Sequence, residues 1–278
     1  MVRMNIVEKM KRLSYSSSVA KCVNKLGLRN LVRRAYAGLH GVPSVRRYSI
    51  QGVEASFQVR TPLELRCVEA TWFGEQEMLN GVLSNLKPGS VFLDVGSNLG
   101  MFTVFAAKAV GPRGMVYAFE PETHAHERLT QNIRLNSIDN VKVFKQGLSD
   151  TRGHSNLLLG QQDGVSQSSR ISEAVGKSEV VEIVQYDWLV ENQKFPVPNV
   201  VKIDVEGHEF AALQGMQHAL SDPSCASLFC EVHPADLPTD VTLKKVLDLI
   251  EACGFENRST AEREMQVHVT ASRSDRSE

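Results

Sequence analysis

The sequence lacks the cysteine pattern of a disulfide-stabilised or zinc-binding protein. Its 278 residues include only five cysteines, an odd number, and no Cys-x-x-Cys pair occurs. Scattered cysteines of this kind are typical of reduced thiols, and they argue against a structural zinc site. The sequence therefore predicts a cytoplasmic protein.

Long hydrophobic runs are also missing. No apolar stretch approaches the ~18 residues that span a bilayer, and no basic start with an apolar core and a small-residue cleavage site marks a secretory signal. Internal repeats are absent as well. A length of 278 residues fits one large α/β domain, or such a domain with an extension.

Acidic residues are almost absent from the first 50 positions, which hold eleven Lys and Arg but one acid, Glu8. The remaining chain holds 20 basic and 31 acidic residues, so the two parts carry net charges of +10 and −11. Aromatic residues are not interleaved with the basic ones, and the acidic part should repel phosphates, so no nucleic-acid partner is predicted. We expect a basic helical extension over 1–44, a main domain over 45–272 and a frayed tail over 273–278.

The basic extension predicts an amphipathic helix, because apolar residues share helical spacing at Leu28, Leu31, Val32, Ala35, Tyr36 and Leu39. Its arginines lie off that stripe. Three interpretations remain open: packing against the domain with the charges in water, peripheral contact of residues 1–40 with an anionic membrane, and a mitochondrial targeting segment.

The stretch Val91 to Gly100, VFLDVGSNLG, is the strongest local signal. An apolar run predicts a buried strand, the glycines predict a tight turn near a ligand, and the following MFTVFAAKAV predicts a helix. The spacing Asp-x-Gly-x-x-x-Gly differs from the GxGxxG of dinucleotide loops. Since the Asp94 carboxylate would repel a pyrophosphate, a sulfonium cofactor with an amino group fits better than NAD. A purely structural turn is the alternative.

The next two predicted strands end in polar residues that suit the rest of such a cofactor. Glu120, followed by Pro121, lies 26 residues after Asp94 at the end of the second strand. An acid there accepts hydrogen bonds from both ribose hydroxyls. Ser149 and Asp150 follow the third strand and are candidates for contacting the adenine, with an ordinary turn as the alternative.

Ionisable residues cluster after two later strands, at Asp204, Glu206, Glu231 and His233. Open α/β sheets bind ligands at the carboxyl ends of their strands. The sequence therefore predicts that these side chains point into one cleft, with a solvated acidic rim as the alternative.

The remaining pattern completes an alternating α/β chain. Weak alternation over residues 45–70 predicts short strands, including Leu63 and Leu65, and a helix is expected to begin near Gly74. The polar stretch 151–178 is interpreted as a hairpin or mobile flap near the site, or as a disordered loop. Helices are expected over 208–220 and 241–253, followed by a terminal strand pair.

Together, the segments LDVGSNLG, FEP, GLSD, VVKIDVEGHE and CEVHP resemble the FkbM family of S-adenosylmethionine-dependent methyltransferases. The resemblance covers roughly residues 50–270, and VVKIDVEGHE is its most specific part. It implies a class I methyltransferase fold, which is a Rossmann-like, seven-stranded, mostly parallel sheet with helices on both faces. It also implies S-adenosylmethionine as cofactor and O-methylation of a hydroxyl on a sugar, glycan or natural product.

The resemblance also implies roles for individual residues. It places Asp94, Gly96 and Gly100 in the cofactor loop, with Ser97 and Asn98 beside the methionine part of the cofactor. The other implied cofactor residues are Glu75, Glu120, Pro121, Ser149, Asp150 and Asp204. His208 departs from the family pattern, in which a small residue is expected.

Methyl transfer to a hydroxyl requires removal of a proton, and His233 is the preferred general base because of its ordinary pKa. Asp204 and Glu206 are the alternatives for that role or for orienting the hydroxyl. No metal site is predicted, because a cation bridging Asp204 and Glu231 would need more oxygen ligands than the sequence assures. The rival functions are a catalytically silent binding module and, less favoured, an NAD-dependent oxidoreductase. The sequence does not predict the oligomeric state.

Overall fold

A computed structural model describes residues 41–159, 170–171, 178–263 and 265–273 of the protein. The basic helix, with its membrane-contact and targeting interpretations, and the end of the tail lie outside these ranges. Among the described helices, none combines the length and hydrophobicity that crossing a membrane requires.

The first half of the described chain is a β-hairpin followed by alternating helices and strands. Its elements are β1 (Ser44–Ile50), β2 (Val53–Val59), α1 (Pro62–Gly74), α2 (Gln76–Asn85), β3 (Val91–Val95), α3 (Met101–Val110), β4 (Met115–Phe119), α4 (Thr123–Leu135) and β5 (Val141–Phe144).

The second half adds short strands, more helices and the terminal strand pair. Its elements are β6 (Gln146–Leu148), β7 (Gly153–Leu158), β8 (Arg170–Ile171), β9 (Ser178–Val184), α5 (Tyr186–Gln193), β10 (Val200–Asp204), α6 (Glu209–Gln214), α7 (Gln217–Ser221), β11 (Ser227–Val232), α8 (Leu243–Ala252), β12 (Asn257–Arg263) and β13 (Gln266–Ser272).

The main sheet has seven strands in the order β12-β13-β11-β10-β3-β4-β5. Neighbours from β11 to β5 run parallel, whereas β13 is antiparallel to both β11 and β12. This order, with its reversed last strand, confirms the predicted class I methyltransferase fold. The chain moves from β3 to β4 on one side and later returns to β10 on the other. Such a switch point leaves a crevice at the carboxyl ends of the strands.

Two apolar cores lie on opposite faces of the sheet, because the central strands are buried on both sides. In β3, Phe92 belongs to one core and its neighbour Leu93 belongs to the other. Both residues are fully buried. This explains why the three residues before Asp94, VFL, are all apolar, and it places the loop that follows β3 at the centre of the sheet.

The prediction of strands at Leu63 and Leu65 was wrong, because these residues lie in α1. Thr61 caps this helix, since its side-chain oxygen accepts a hydrogen bond from the backbone N–H of Glu64 at 3.1 Å. Pro62 occupies the first turn, where its missing N–H costs nothing. The Thr-Pro pair starts a helix here rather than breaking a strand.

The single helix predicted over 208–220 is instead two short helices, α6 and α7. The chain bends at Gly215, where an added Cβ would lie 1.8 Å from the carbonyl oxygen of Ser149. The close approach of another backbone segment therefore determines the break.

The polar stretch 151–178 contributes strands to a second, four-stranded sheet of order β6-β9-β7-β8. In this sheet β7 is antiparallel to both β8 and β9. The hairpin interpretation is thus confirmed for the described residues. It also brings Leu157 and Ile171 to the crevice of the main sheet.

Candidate functional site

A cleft of about 680 Å³, counted out to its open mouth, lies over the carboxyl ends of β3, β4 and β10. Of the predicted cofactor residues, those that line this cleft are Gly96, Asn98, Glu120, Pro121 and Asp204.

The cofactor loop and the end of β4 are joined by one carboxylate. Glu120 accepts a hydrogen bond from the backbone N–H of Asn98 at 2.7 Å and another from that of Glu122 at 3.0 Å. Burial raises the pKa of the Glu120 carboxyl to about 7, although both backbone donors lower it. Glu120 therefore holds the loop in place and keeps lone pairs available toward the cleft.

Asp94 lies behind the loop rather than in the cleft wall. It is fully buried, accepts a hydrogen bond from the Thr103 hydroxyl, and has Oδ1 3.9 Å from Nζ of Lys202. Burial raises the pKa of the Asp94 carboxyl, and the Lys202 cation opposes that rise. Asp94 therefore supports the loop from below, as does Ser97, whose hydroxyl donates to the Asp94 carbonyl at 2.9 Å.

The two loop glycines are required by close packing. Gly96 has φ 76°, and an added Cβ would lie 1.8 Å from the carbonyl oxygen of Asp204. Gly100 has φ 87°, and its Cβ would lie 2.5 Å from Cδ1 of Leu129. Both positions need the left-handed backbone and the absence of a side chain.

The inner wall of the cleft contains residues that the sequence did not single out. They are Gln146, Gly147, Leu148, Leu157 and Ile171. The predicted Ser149 and Asp150 are not in this wall. Ser149 is buried, with its hydroxyl 3.0 Å from Nε2 of His208, and Asp150 is exposed.

His208 lines the cleft and occupies the position where a small residue was expected. Burial lowers the pKa of its imidazole, so the ring is neutral at physiological pH. The Ser149 contact gives this unusual residue a fixed orientation.

The four predicted ionisable residues come together, with Asp204 and Glu206 lining the cleft and Glu231 and His233 buried behind them. Nε2 of His233 lies 3.4 Å from Oε2 of Glu206, 3.7 Å from Oε1 of Glu231 and 4.0 Å from Oδ1 of Asp204. His233 and Glu231 are only 4% and 3% exposed, so this is not a solvated rim. Glu206 has φ 48°, a conformation that is strained for a residue with a side chain.

Two polar residues contact the ring of His233: Glu209, which ends the VVKIDVEGHE segment but was given no role there, and Gln266, which the sequence did not single out. Nδ1 lies 2.7 Å from Oε1 of the fully buried Glu209, and Nε2 lies 3.0 Å from the side-chain nitrogen of Gln266 on β13. The ring is thus held from both sides.

The carboxylates around His233 change its acid–base behaviour. Burial by itself lowers the pKa of His233, but the hydrogen bond to Glu209 and the charges of Asp204 and Glu206 raise it to about 9. Burial and the Asp204 charge raise the pKa of Glu206 to about 8. The imidazole therefore carries a proton at neutral pH and becomes a base as the pH approaches 9.

Glu75, at the start of α2, lies beside the carboxylates of Asp204 and Glu231. Burial raises the pKa of its carboxyl to about 8, and the charges of Asp204 and Glu231 act in the same direction. Lys202, a charged residue within the buried strand β10, offsets this negative charge with Nζ 3.2 Å from Oδ2 of Asp204. A lysine inside an apolar strand is a sequence signal that could have identified it.

Among the residues that the structure describes, two sets of three side chains could supply metal ligands within 4.8 Å of one another. They are Asp204 with Glu206 and His233, and Asp204 with Glu75 and Glu231. Lys202 and the protonated His233 already supply positive charge to both sets. The arrangement therefore does not by itself indicate a metal.

The cleft fits the predicted sulfonium cofactor. The carboxylate of Glu120 can accept hydrogen bonds from ribose hydroxyls, and the apolar side chains of Leu148, Leu157 and Ile171 offer a surface for a purine. The buried Oδ1 of Asn98 receives no hydrogen bond from the described part of the chain. That oxygen is therefore available to the amino group of the cofactor.

Comparison with known proteins gives a consistent result. The sequence profile of the family described as Methyltransferase FkbM domain matches residues 94–256. A hexuronic acid methyltransferase, AglP of Haloferax volcanii, is 31% identical over 196 residues, which cover 70% of this chain and 74% of that protein. A protein named Methyltransferase 1 from Beauveria bassiana is 26% identical, over 46% of this chain and 58% of its own length.

Among solved structures, the chain is similar to the methyltransferase FkbM from Methylobacillus flagellatus. The TM-score is 0.47 at 14% identity, and the match covers 75% of this chain and 53% of that one.

Proposed function

Because this chain belongs to the FkbM methyltransferase family and uses S-adenosylmethionine, we propose that it methylates a hydroxyl oxygen of a sugar, glycan or related natural product. The name of the Haloferax volcanii relative, a hexuronic acid methyltransferase, supports a sugar acceptor. The observation that carries the proposal is the buried His233 among carboxylates, with Nε2 3.4 Å from Glu206 of the cleft wall.

The cofactor supplies an activated methyl group, so the protein has to bind, align and take up a proton. We infer that Gly96, Asn98, Glu120 and Pro121 hold the cofactor, while Asp94, Ser97 and Gly100 shape its loop. Of the other predicted cofactor residues, Asp204 also lines the cleft, whereas Glu75, Ser149 and Asp150 lie outside its wall. Alignment alone is worth ~7–11 kcal/mol in well-oriented reactions.

His233 takes the proton of the acceptor hydroxyl in this proposal, and Asp204 and Glu206 orient that hydroxyl. The carboxylates hold the pKa of His233 at about 9. This value is closer to the pKa of a hydroxyl group than the pKa of an ordinary imidazole is. A stronger base transfers a proton more readily, but it is deprotonated only at higher pH. Turnover should therefore rise between pH 7 and 9.

The test is transfer of an isotope-labelled methyl group from S-adenosylmethionine to a panel of neutral sugars and uronic acids, read by mass spectrometry. His233→Ala should lower turnover by ~10²–10⁴-fold and leave the affinity for S-adenosylmethionine near wild type. His218→Ala is the matched control, because that imidazole is 82% exposed on α7.

Three results would contradict parts of this proposal. Methylation of nitrogen or carbon instead of oxygen would overturn the acceptor class. Tight S-adenosylmethionine binding without transfer to any acceptor would favour a silent binding module. Equal losses of turnover and cofactor affinity in His233→Ala would overturn the assignment of the base.

A further inference from the structure

We propose that Glu209 is a positioning residue, whose carboxylate turns Nε2 of His233 toward the acceptor and stabilises the protonated ring that forms during methyl transfer. This inference rests on the proposed function, in which His233 takes the hydroxyl proton. No role for Glu209 follows from the family resemblance.

The geometry around Glu209 is that of a fixed support. Its side chain is fully buried, and its Oε1 accepts a hydrogen bond from the backbone N–H of Gly207 at 2.8 Å. The same oxygen lies 2.7 Å from Nδ1 of His233. Since Glu209 is the first residue of α6, its backbone is fixed by the helix start as well.

The bond to Nδ1 determines what the other ring nitrogen can do. When Nδ1 carries a proton and donates it to Glu209, the lone pair of the neutral ring is on Nε2. Nε2 is the nitrogen that faces Asp204 and Glu206 across 4.0 and 3.4 Å. Glu209 therefore selects the tautomer that can accept a proton on the side of the cleft.

Other groups around the ring do not replace Glu209. Gln266 faces Nε2 and is uncharged, and it can present either its oxygen or its nitrogen. The other charged partners of His233 among the described residues face Nε2, on the side away from Glu209; they are Asp204, Glu206 and Glu231. In the described part of the chain, Nδ1 has Glu209 as its sole hydrogen-bonding partner.

The reaction explains why a carboxylate is useful there. A bond forms between the acceptor oxygen and the methyl carbon while the sulfur–carbon bond breaks, and its electron pair stays on sulfur. The hydroxyl proton passes to Nε2 of His233. The positive charge thus leaves the cofactor and appears on the imidazole, directly beside the Glu209 carboxylate. A fixed negative group at the place where positive charge develops favours the transition state.

Glu209→Gln tests the proposal, because it keeps the size of the side chain and removes its charge. We expect turnover to fall at least tenfold and the alkaline midpoint of the pH–rate profile to move about one unit lower, since a charged partner no longer holds the proton. The KM for S-adenosylmethionine should not change. Glu209→Asp, which restores the charge at a shorter reach, should recover part of the turnover and of the midpoint.

Asp187→Asn is the matched control. Asp187 also supports a helix start, accepting hydrogen bonds from the backbone N–H groups of His218 and Ala219 at 2.9 Å each. Its amide variant should lower the melting temperature without moving the pH–rate midpoint. The same result for Glu209→Gln would overturn the proposal and leave Glu209 a purely structural residue.

A second readout does not depend on catalysis. Nitrogen-15 NMR of labelled protein should show, for neutral His233, a protonated Nδ1 and an unprotonated Nε2, and Glu209→Gln should change this ratio and lower the titration midpoint. An unchanged titration in Glu209→Gln would overturn the inference even if turnover falls. Because this measurement needs no acceptor, it decides the role of Glu209 separately from the proposed O-methylation.

Discussion

At Gly96 the cofactor loop lies closer to strand β10 than a residue with a side chain would allow. The backbone of Gly96 lies against the carbonyl of Asp204, so the loop after β3 and the acidic end of β10 share one rigid contact. A shift of one of these segments would move the other, which links the cofactor loop to the carboxylates beside His233.

We expect Gly96→Ala to abolish S-adenosylmethionine binding and to lower the melting temperature, because the new Cβ would overlap the Asp204 carbonyl. Gly111→Ala is the matched control, since Gly111 also has positive φ, 66°, but nothing lies within 4 Å of its Cβ position. Calorimetric titration and thermal melts measure both effects. Equal losses in the two variants would show that backbone strain, and not the overlap, is responsible.

Glu120 should make cofactor affinity depend on pH. The pKa of its carboxyl is about 7, and only the ionised form accepts hydrogen bonds through both oxygens. Affinity for S-adenosylmethionine should therefore increase from pH 6 to pH 8. Glu120→Gln should weaken binding by about 10–100-fold at pH 8, since a hydrogen bond to a charged group is worth ~1.5–3 kcal/mol, and it should flatten the pH dependence. A retained pH dependence in the variant would assign it to another group.

Most residues that the sequence identified at the site lie at the end of an apolar strand or directly after it, although Glu75 lies between two helices. Glu120, Asp204 and His233 could be found in this way because the carboxyl ends of parallel strands meet. Gln266 could not, since its contact with His233 depends on the antiparallel register of β13. Leu157 likewise reaches the cleft only through pairing within the second sheet.

At the scale of elements, α1 shows how a local cap overrides a weak pattern. Thr61 and Glu64 form a helix start in which Glu64 also accepts a hydrogen bond from the backbone N–H of Arg60 at 2.6 Å. The alternation at Leu63 and Leu65 suggested a strand because two apolar positions cannot distinguish a period of 2 from one of 3.6. The capping pair was the more informative signal.

Thr61→Ala should reduce the free energy of unfolding by ~1 kcal/mol, the usual cost of losing such a cap. Thr61→Ser keeps the hydroxyl and should stay close to wild type. Urea denaturation of the three proteins measures the difference. If the serine variant loses as much as the alanine variant, the threonine methyl group, and not the cap, is responsible.

The break between α6 and α7, unlike the start of α1, has a cause that is not local in the sequence. Nothing in the local sequence around Gly215 distinguishes it from a tolerated helix glycine. The break is set by the carbonyl of Ser149, which comes from a distant part of the chain. Sequence periodicity predicted a helical segment in the right place but had no information about this approach.

For the molecule as a whole, protons held in the cleft affect stability. The pKa values of four buried or partly buried groups lie above their ordinary values: about 7 for Glu120, about 8 for Glu75 and Glu206, and about 9 for His233. These four groups therefore bind more protons in the folded protein than in the unfolded chain between pH 5 and 9. Where the folded state holds more protons than the unfolded state, the free energy of unfolding decreases as the pH rises.

We therefore expect the melting temperature to decrease from pH 6 to pH 9, as measured by scanning calorimetry. Glu206→Gln should reduce the slope, because the amide has no proton to lose. Asp248→Asn, at an exposed pair with Lys244, should leave the slope unchanged. A melting temperature that rises toward pH 9 would contradict the raised pKa values.

The order of the main sheet also has a consequence for the biosynthesis of the protein. Phe92 pairs with Val200, and Gln266 contacts His233 from the last strand. When the ribosome has made β3, the cofactor loop and β4, it has not yet made β10 and β5, which flank these two strands in the sheet. One edge of β3 and one edge of β4 therefore stay unpaired until later segments are made. The site is therefore completed near the end of translation, and the nascent first half depends on protection from aggregation until then.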